Sequence, residues 1–94
     1  MTIDFPSIKK RLLSNPKVRQ AYDDLAPEFE IAAALVKARS RAGMTQAAVA
    51  RRMGTTQSVI ARLESGRQKV STRTLLRFAE ATGTRLKLEL VPRP

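Results

Sequence analysis

Cysteine and histidine are both absent from the 94 residues. Without cysteine neither disulfides nor thiolate metal sites are available, which suits a reducing cytosol. Without histidine as well, the common metal-ligand sets and the nucleophile-base pairs of covalent catalysis are missing. Acidic residues are scarce, 8 against 18 lysines and arginines, and form no cluster resembling a catalytic carboxylate pair. The reading is a protein that is not an enzyme and uses no metal or cofactor. Aromatic residues number four, three Phe and one Tyr, and none interleaves with the basic positions, so a platform that stacks the bases of RNA has little support. Long apolar runs are missing too: the longest, Ile31 to Val36, is far too short to span a bilayer. The N-terminus shows no apolar core followed by a small-residue cleavage site. The expectation is a soluble, cytoplasmic protein with one small domain and room for a modest appendage.

What is present is a spacing. Between Gln46 and Leu63 the chain reads QAAVARRMGTTQSVIARL. With Gln46 as the first position, a small residue falls fifth (Ala50), a glycine ninth (Gly54), and apolar residues fifteenth and eighteenth (Ile60 and Leu63). Two helices that cross steeply through a short turn need a small side chain where their axes approach and a residue tolerant of positive φ in the turn. Ala50 and Gly54 fit those roles. Ile60 and Leu63, at i and i+3, give the second helix one buried stripe and leave Gln57, Ser58 and Arg62 outside for a partner.

The basic excess, a formal net charge of +10, lies with this motif. Residues 1–30 hold five basic and five acidic side chains, whereas residues 31–94 hold thirteen basic and three acidic. A one-sided surplus of this kind attracts a polyanion through counterion release, whatever its sequence.

Punctuation divides the rest of the chain. Phe5, Ile8 and Leu12 recur at helical spacing, and Asn15-Pro16 marks a stop followed by a new N-cap with proline at N1, so two short N-terminal helices are expected. The second carries Val18, Tyr22 and Leu25, and Pro27 then opens a longer helix in which Ile31, Leu35 and Ala38 line one face up to Gly43. Thr45 caps the Gln46 helix, Thr55 or Thr56 the Gln57 helix, and Ser71 or Thr72 a helix ending before Gly83. The expected core draws on Leu35, Val49, Ile60, Leu63, Leu75, Phe78 and Ala79. After Gly83 the period becomes two: Arg85, Lys87 and Glu89 alternate with Leu86, Leu88 and Leu90, the pattern of a strand with one buried face. No second strand is evident, so the strand either pairs with its copy in a symmetric dimer or lies as an extended tail on its own core.

The segment MTQAAVARRMGTTQSVIARLESG resembles the DNA-binding domain of phage repressors of the Cro type, the Xre family, over about Ile31 to Thr82. With its N-terminal extension and terminal LKLELVP, the whole chain resembles HigA-type antitoxins of bacterial toxin-antitoxin modules. The resemblance implies an all-α, five-helix lambda-repressor-like helix-turn-helix domain in residues 27–83. An N-terminal helical extension (1–26) would hold a toxin, and a C-terminal β-strand (84–94) would form a dimer through Leu86, Leu88 and Leu90. It implies a sequence-specific repressor of its own operon that neutralises a RelE/HigB-like mRNA-cleaving toxin. A stand-alone phage-like Xre-family repressor is the other reading. Many family members carry a fifth helix where the terminal strand is expected here, which leaves their mode of dimerisation open for this chain.

Site residues follow from the same resemblance. Gln46 matches a position on the DNA backbone; Thr56, Gln57 and Ser58 open the reading helix, and Arg62 lies one turn further along its outer face. Glutamine can pair bidentately with adenine and arginine with guanine. Arg67 and Lys69 would hold phosphate, with Arg51, Arg52 and Arg73 as lesser candidates. Arg39 matches an arginine that pairs with the glutamate matching Glu64, so it reads first as a structural ion pair and second as a phosphate contact. On the toxin side, Phe5, Ile8, Leu12 and Tyr22 would be apolar anchors, with Asp23 and Asp24, and also Glu28 and Glu30, facing a basic partner.

Overall fold

The computed structural model describes residues 14–94, apart from the side chains of Tyr22 and Leu25. Phe5, Ile8 and Leu12, and the first expected helix with them, lie outside the described residues, as does the Tyr22 side chain. Four helices follow in order among the described residues: α1 (Pro16–Arg41), α2 (Gln46–Met53), α3 (Gln57–Leu63) and α4 (Thr72–Thr82).

Each helix begins where a side-chain oxygen can take an otherwise unpaired N–H. Asn15 accepts the amide of Lys17 at 3.0 Å, Thr45 that of Ala48 at 3.0 Å, Thr56 that of Val59 at 3.4 Å and Ser71 that of Thr74 at 3.1 Å. Of the expected alternatives, Thr56 and Ser71 are the caps. The turn between α2 and α3 closes on Gly54, which sits at φ 68°, ψ 36°, a left-handed conformation that costs a residue with a Cβ roughly 1 kcal/mol or more.

The break expected at Pro27 does not occur. α1 runs unbroken for 26 residues with Pro27 inside it. Proline lacks the N–H that would bond back to the carbonyl of Asp23, a loss that disfavours an interior position. Here the upstream turns have their own support in the Asn15 cap, Pro16 at N1 and the bond from Gln20 Nε2 to Asp24 Oδ1 at 2.9 Å, one helical turn apart. A proline between two self-supporting helical stretches is carried through.

Val49, Ile60 and Phe78 are the large side chains buried most completely; Leu35, Ala50, Met53, Leu63 and Ala81 complete the buried cluster. α2 packs on both α3 and α4, and α1 lies against α4. Of the expected core, Leu75 and Ala79 are only partly buried. Ala50 stands buried at the α2–α3 crossing that its size permits.

The expected terminal strand is absent: among the described residues there is none, and residues 84–94 are irregular. The described residues supply no second strand to take up the ladder hydrogen bonds, and an unpaired strand has nothing to hold it. Nor do the leucines share one covered face. Leu86 is half-buried, whereas Leu88 and Leu90 are exposed. The stretch Thr84–Leu88 instead borders an apolar groove of about 520 Å³ between α1 and α4, lined by Ile31, Leu35, Leu75 and Phe78.

Candidate nucleic-acid interface

The α3 helix divides cleanly. Ile60 and Leu63 are buried and Val59 is partly buried, while Gln57, Ser58, Ala61 and Arg62 are exposed. At 100° per residue the four exposed positions fall on the side opposite Ile60 and Leu63. Seven residues make a rod of about 10 Å, short enough to lie along a major groove about 12 Å wide. Thr56 accepts the Val59 amide through Oγ1 and keeps its O–H to donate outward.

The C-terminus of this helix is anchored by one charged knot. Arg39, on α1, donates from Nε to Glu64 Oε2 at 2.8 Å and to Oε1 at 3.1 Å, and from Nη2 to Oε1 at 2.9 Å. Its Nη1 donates to the carbonyl of Met44 at 3.0 Å. Gln46 joins the same carboxylate, its Nε2 donating to Oε1 at 3.3 Å. The Glu64 side chain is only 4% exposed and that of Arg39 19%. Hydrogen bonding to Glu64, helped by its charge, holds the Arg39 guanidinium above its ordinary range against the opposing effect of burial. A cation raised in this way stays charged up to the strongly alkaline range. The bidentate geometry fixes α3 against α1 and the α1–α2 turn.

This knot also sets the surface potential. Glu64 is the sole acidic residue between Ile31 and Val70, and it is buried against a cation. The exposed surface of the motif therefore carries Arg51, Arg62, Arg67 and Lys69 without an intervening carboxylate, which is the electrostatic condition for holding a polyanion.

Not every basic residue belongs to that surface. Arg52 Nη1 donates to the Ala81 carbonyl at 3.0 Å, and Arg77 Nη2 donates to the Met53 carbonyl. The two guanidinium groups thus cross-brace α2 and α4 by capping each other's last turns, where unpaired carbonyls favour a cation. Arg52, a lesser phosphate candidate from the sequence, is tied into the fold. Arg51 and Arg73 are exposed.

Gln46 is brought together with Arg39 and Glu64 rather than standing free. Asp23 and Asp24 are exposed on α1, Asp24 accepting from Gln20. Sequence reasoning passed over Phe29, Arg77 and the Met44 carbonyl.

A model of the helix-turn-helix domain matches residues 30–90. No curated protein and no solved structure matches the chain. No helix among the described residues is long and apolar enough to cross a membrane. The match spans more than half of the chain and takes in α2, the Gly54 turn and α3, so the protein belongs to the helix-turn-helix domain family, whose fold suggests DNA binding and is typically non-enzymatic.

Proposed function

We propose that the protein is a sequence-specific DNA-binding repressor that reads operator bases with α3. The observation that carries this reading is the exposed outer side of α3, Gln57, Ser58 and Arg62, on a helix whose inner side and C-terminus are fixed by Ile60, Leu63 and the Arg39–Glu64 pair. Gln57 and Arg62 supply the two side chains that can bond bidentately to adenine and guanine edges. Arg67 and Lys69 contact phosphate, and Thr56 and Ser58 offer hydroxyls to either. Gln46 is the residue whose role shifts most: bonded to Glu64, it braces the reading helix and reaches DNA only at its edge.

Within this reading the chain acts as the antitoxin of a toxin-antitoxin module, repressing its own operon as a dimer and holding a RelE/HigB-like toxin with its N-terminal part. Support comes from α1. Among the described side chains the first fully buried one is Ala32, and the helix upstream of it carries Asp23 and Asp24 in the open. Exposed carboxylates suit a basic RNA-cleaving partner. The exposed Leu88, Leu90 and Val91 offer apolar surface to a second copy.

Fluorescence anisotropy with a duplex spanning the region upstream of its own gene tests the first part. Saturable binding that survives excess mixed-sequence competitor is expected, and binding abolished by that competitor would contradict it. Co-expression with the product of the adjacent gene tests the second. A stable complex that still forms when Gln57 and Arg62 are alanine is expected; absence of any complex leaves the stand-alone repressor.

A further inference from the structure

The loop after the reading helix has a floor that belongs to no helix-turn-helix element. Gly66 is buried at φ 75°, and a Cβ built on it would run into the Phe29 ring at Cδ1, with Cε1 at 2.9 Å. The ring of Phe29, on α1, therefore lies directly against the Gly66 backbone, although Phe29 itself remains 50% exposed. Four contacts now converge on four consecutive residues. Glu64 is held by Arg39, Ser65 Oγ donates to the Arg62 carbonyl at 2.6 Å and accepts the Arg67 amide at 3.2 Å, and Gly66 rests on Phe29. Arg67 and, beyond it, Gln68 and Lys69 are exposed and precede α4 without regular structure.

We propose that Phe29 is a positioning residue for phosphate binding, acting through Gly66 to hold Arg67 and Lys69 beside the reading helix. The inference rests on the reading of Arg67 and Lys69 as phosphate contacts. A half-exposed ring contributes little to the core, which is built without it, so hydrophobic burial alone does not account for its seat on a glycine. A flexible loop loses conformational freedom when its cations bind phosphate; a loop already seated loses less, and the difference appears as affinity. Gly66 is the matching half of the device, since the left-handed backbone and the absence of a side chain are both needed for the ring to approach.

The test is a double-mutant cycle on the full chain with a short mixed-sequence DNA duplex, measured by anisotropy over a range of salt concentrations. Phe29→Ala should weaken binding and make the plot of log affinity against log salt shallower by about one, as loss of one phosphate contact does. Phe29→Tyr, which keeps the ring, should restore the wild-type slope. Circular dichroism melting guards against unfolding, and Phe29→Leu serves if the alanine variant melts early. The decisive arm is the background: in Arg67→Ala/Lys69→Ala the further change Phe29→Ala should have no additional effect. An undiminished effect of Phe29→Ala in that background, or a wild-type slope for Phe29→Ala alone, overturns the proposal while leaving the phosphate reading intact. If Arg67→Ala/Lys69→Ala itself leaves affinity and slope unchanged, the phosphate reading fails and the proposal with it.

Discussion

Arg39, Arg52 and Arg77 on one side, and Arg62 and Arg67 on the other, are the same residue put to opposite uses. The first three find a carboxylate or a backbone carbonyl within the chain and join α1 to α3 and α2 to α4. The other two are exposed on the reading helix and the loop that follows it. A count of basic residues thus overstates the surface offered to DNA. Part of the surplus closes helix ends and neutralises Glu64, and this internal use of charge leaves the outward surface of the motif purely basic.

The sharpest way to break the comparison is Arg39→Ala. It strands the buried Glu64 carboxylate, and loss of one partner from such a pair costs about 3 kcal/mol, at the lower end for buried pairs because Arg39 keeps some contact with water. Denaturant unfolding should show this loss, and Glu64→Gln, which removes the stranded charge, should recover part of it in the Arg39→Ala background. Next in size, Gln57→Ala or Arg62→Ala should each cost roughly 1–3 kcal/mol of operator affinity and relax base preference at one position per half-site. Their melting temperatures should stay at the wild-type value, because both side chains are exposed. Arg52→Ala and Arg77→Ala should do the reverse, lowering stability by about 1 kcal/mol each through a lost carbonyl bond with base preference unaltered. The smallest effect belongs to Arg73→Ala: stability within about 0.5 kcal/mol of wild type, seen in the same unfolding experiment.

The helix-turn-helix was legible because its determinants are local and steric. Ala50 at the crossing, Gly54 in the turn, and Ile60 and Leu63 on one face are fixed by distances within eighteen residues of sequence. The cap at Thr45 was legible for the same reason, and that at Ser71 as one of two neighbouring residues. Pro27 was not, because a proline that opens a helix and one carried inside a helix look alike; the support upstream of it decides. Phe29 was hidden by its phase, since it falls nearly opposite Ile31 on α1 and meets a glycine backbone 37 positions away. The terminal alternation of Leu86, Leu88 and Leu90 was read correctly as a period, but a period gives a strand only when a ladder partner is at hand. Arg39 and Glu64, 25 positions apart, came from resemblance alone.

Selection of bound sequences from a random duplex pool, run in parallel on the wild-type chain and on Gln57→Ala/Arg62→Ala, tests most directly whether the outer face of α3 reads DNA. The wild type should enrich a defined sequence, and the double variant, folded and equally stable, should lose that preference while keeping salt-dependent affinity for duplexes of any sequence. Enrichment of the same sequence by both proteins, at the same affinity, would contradict the account.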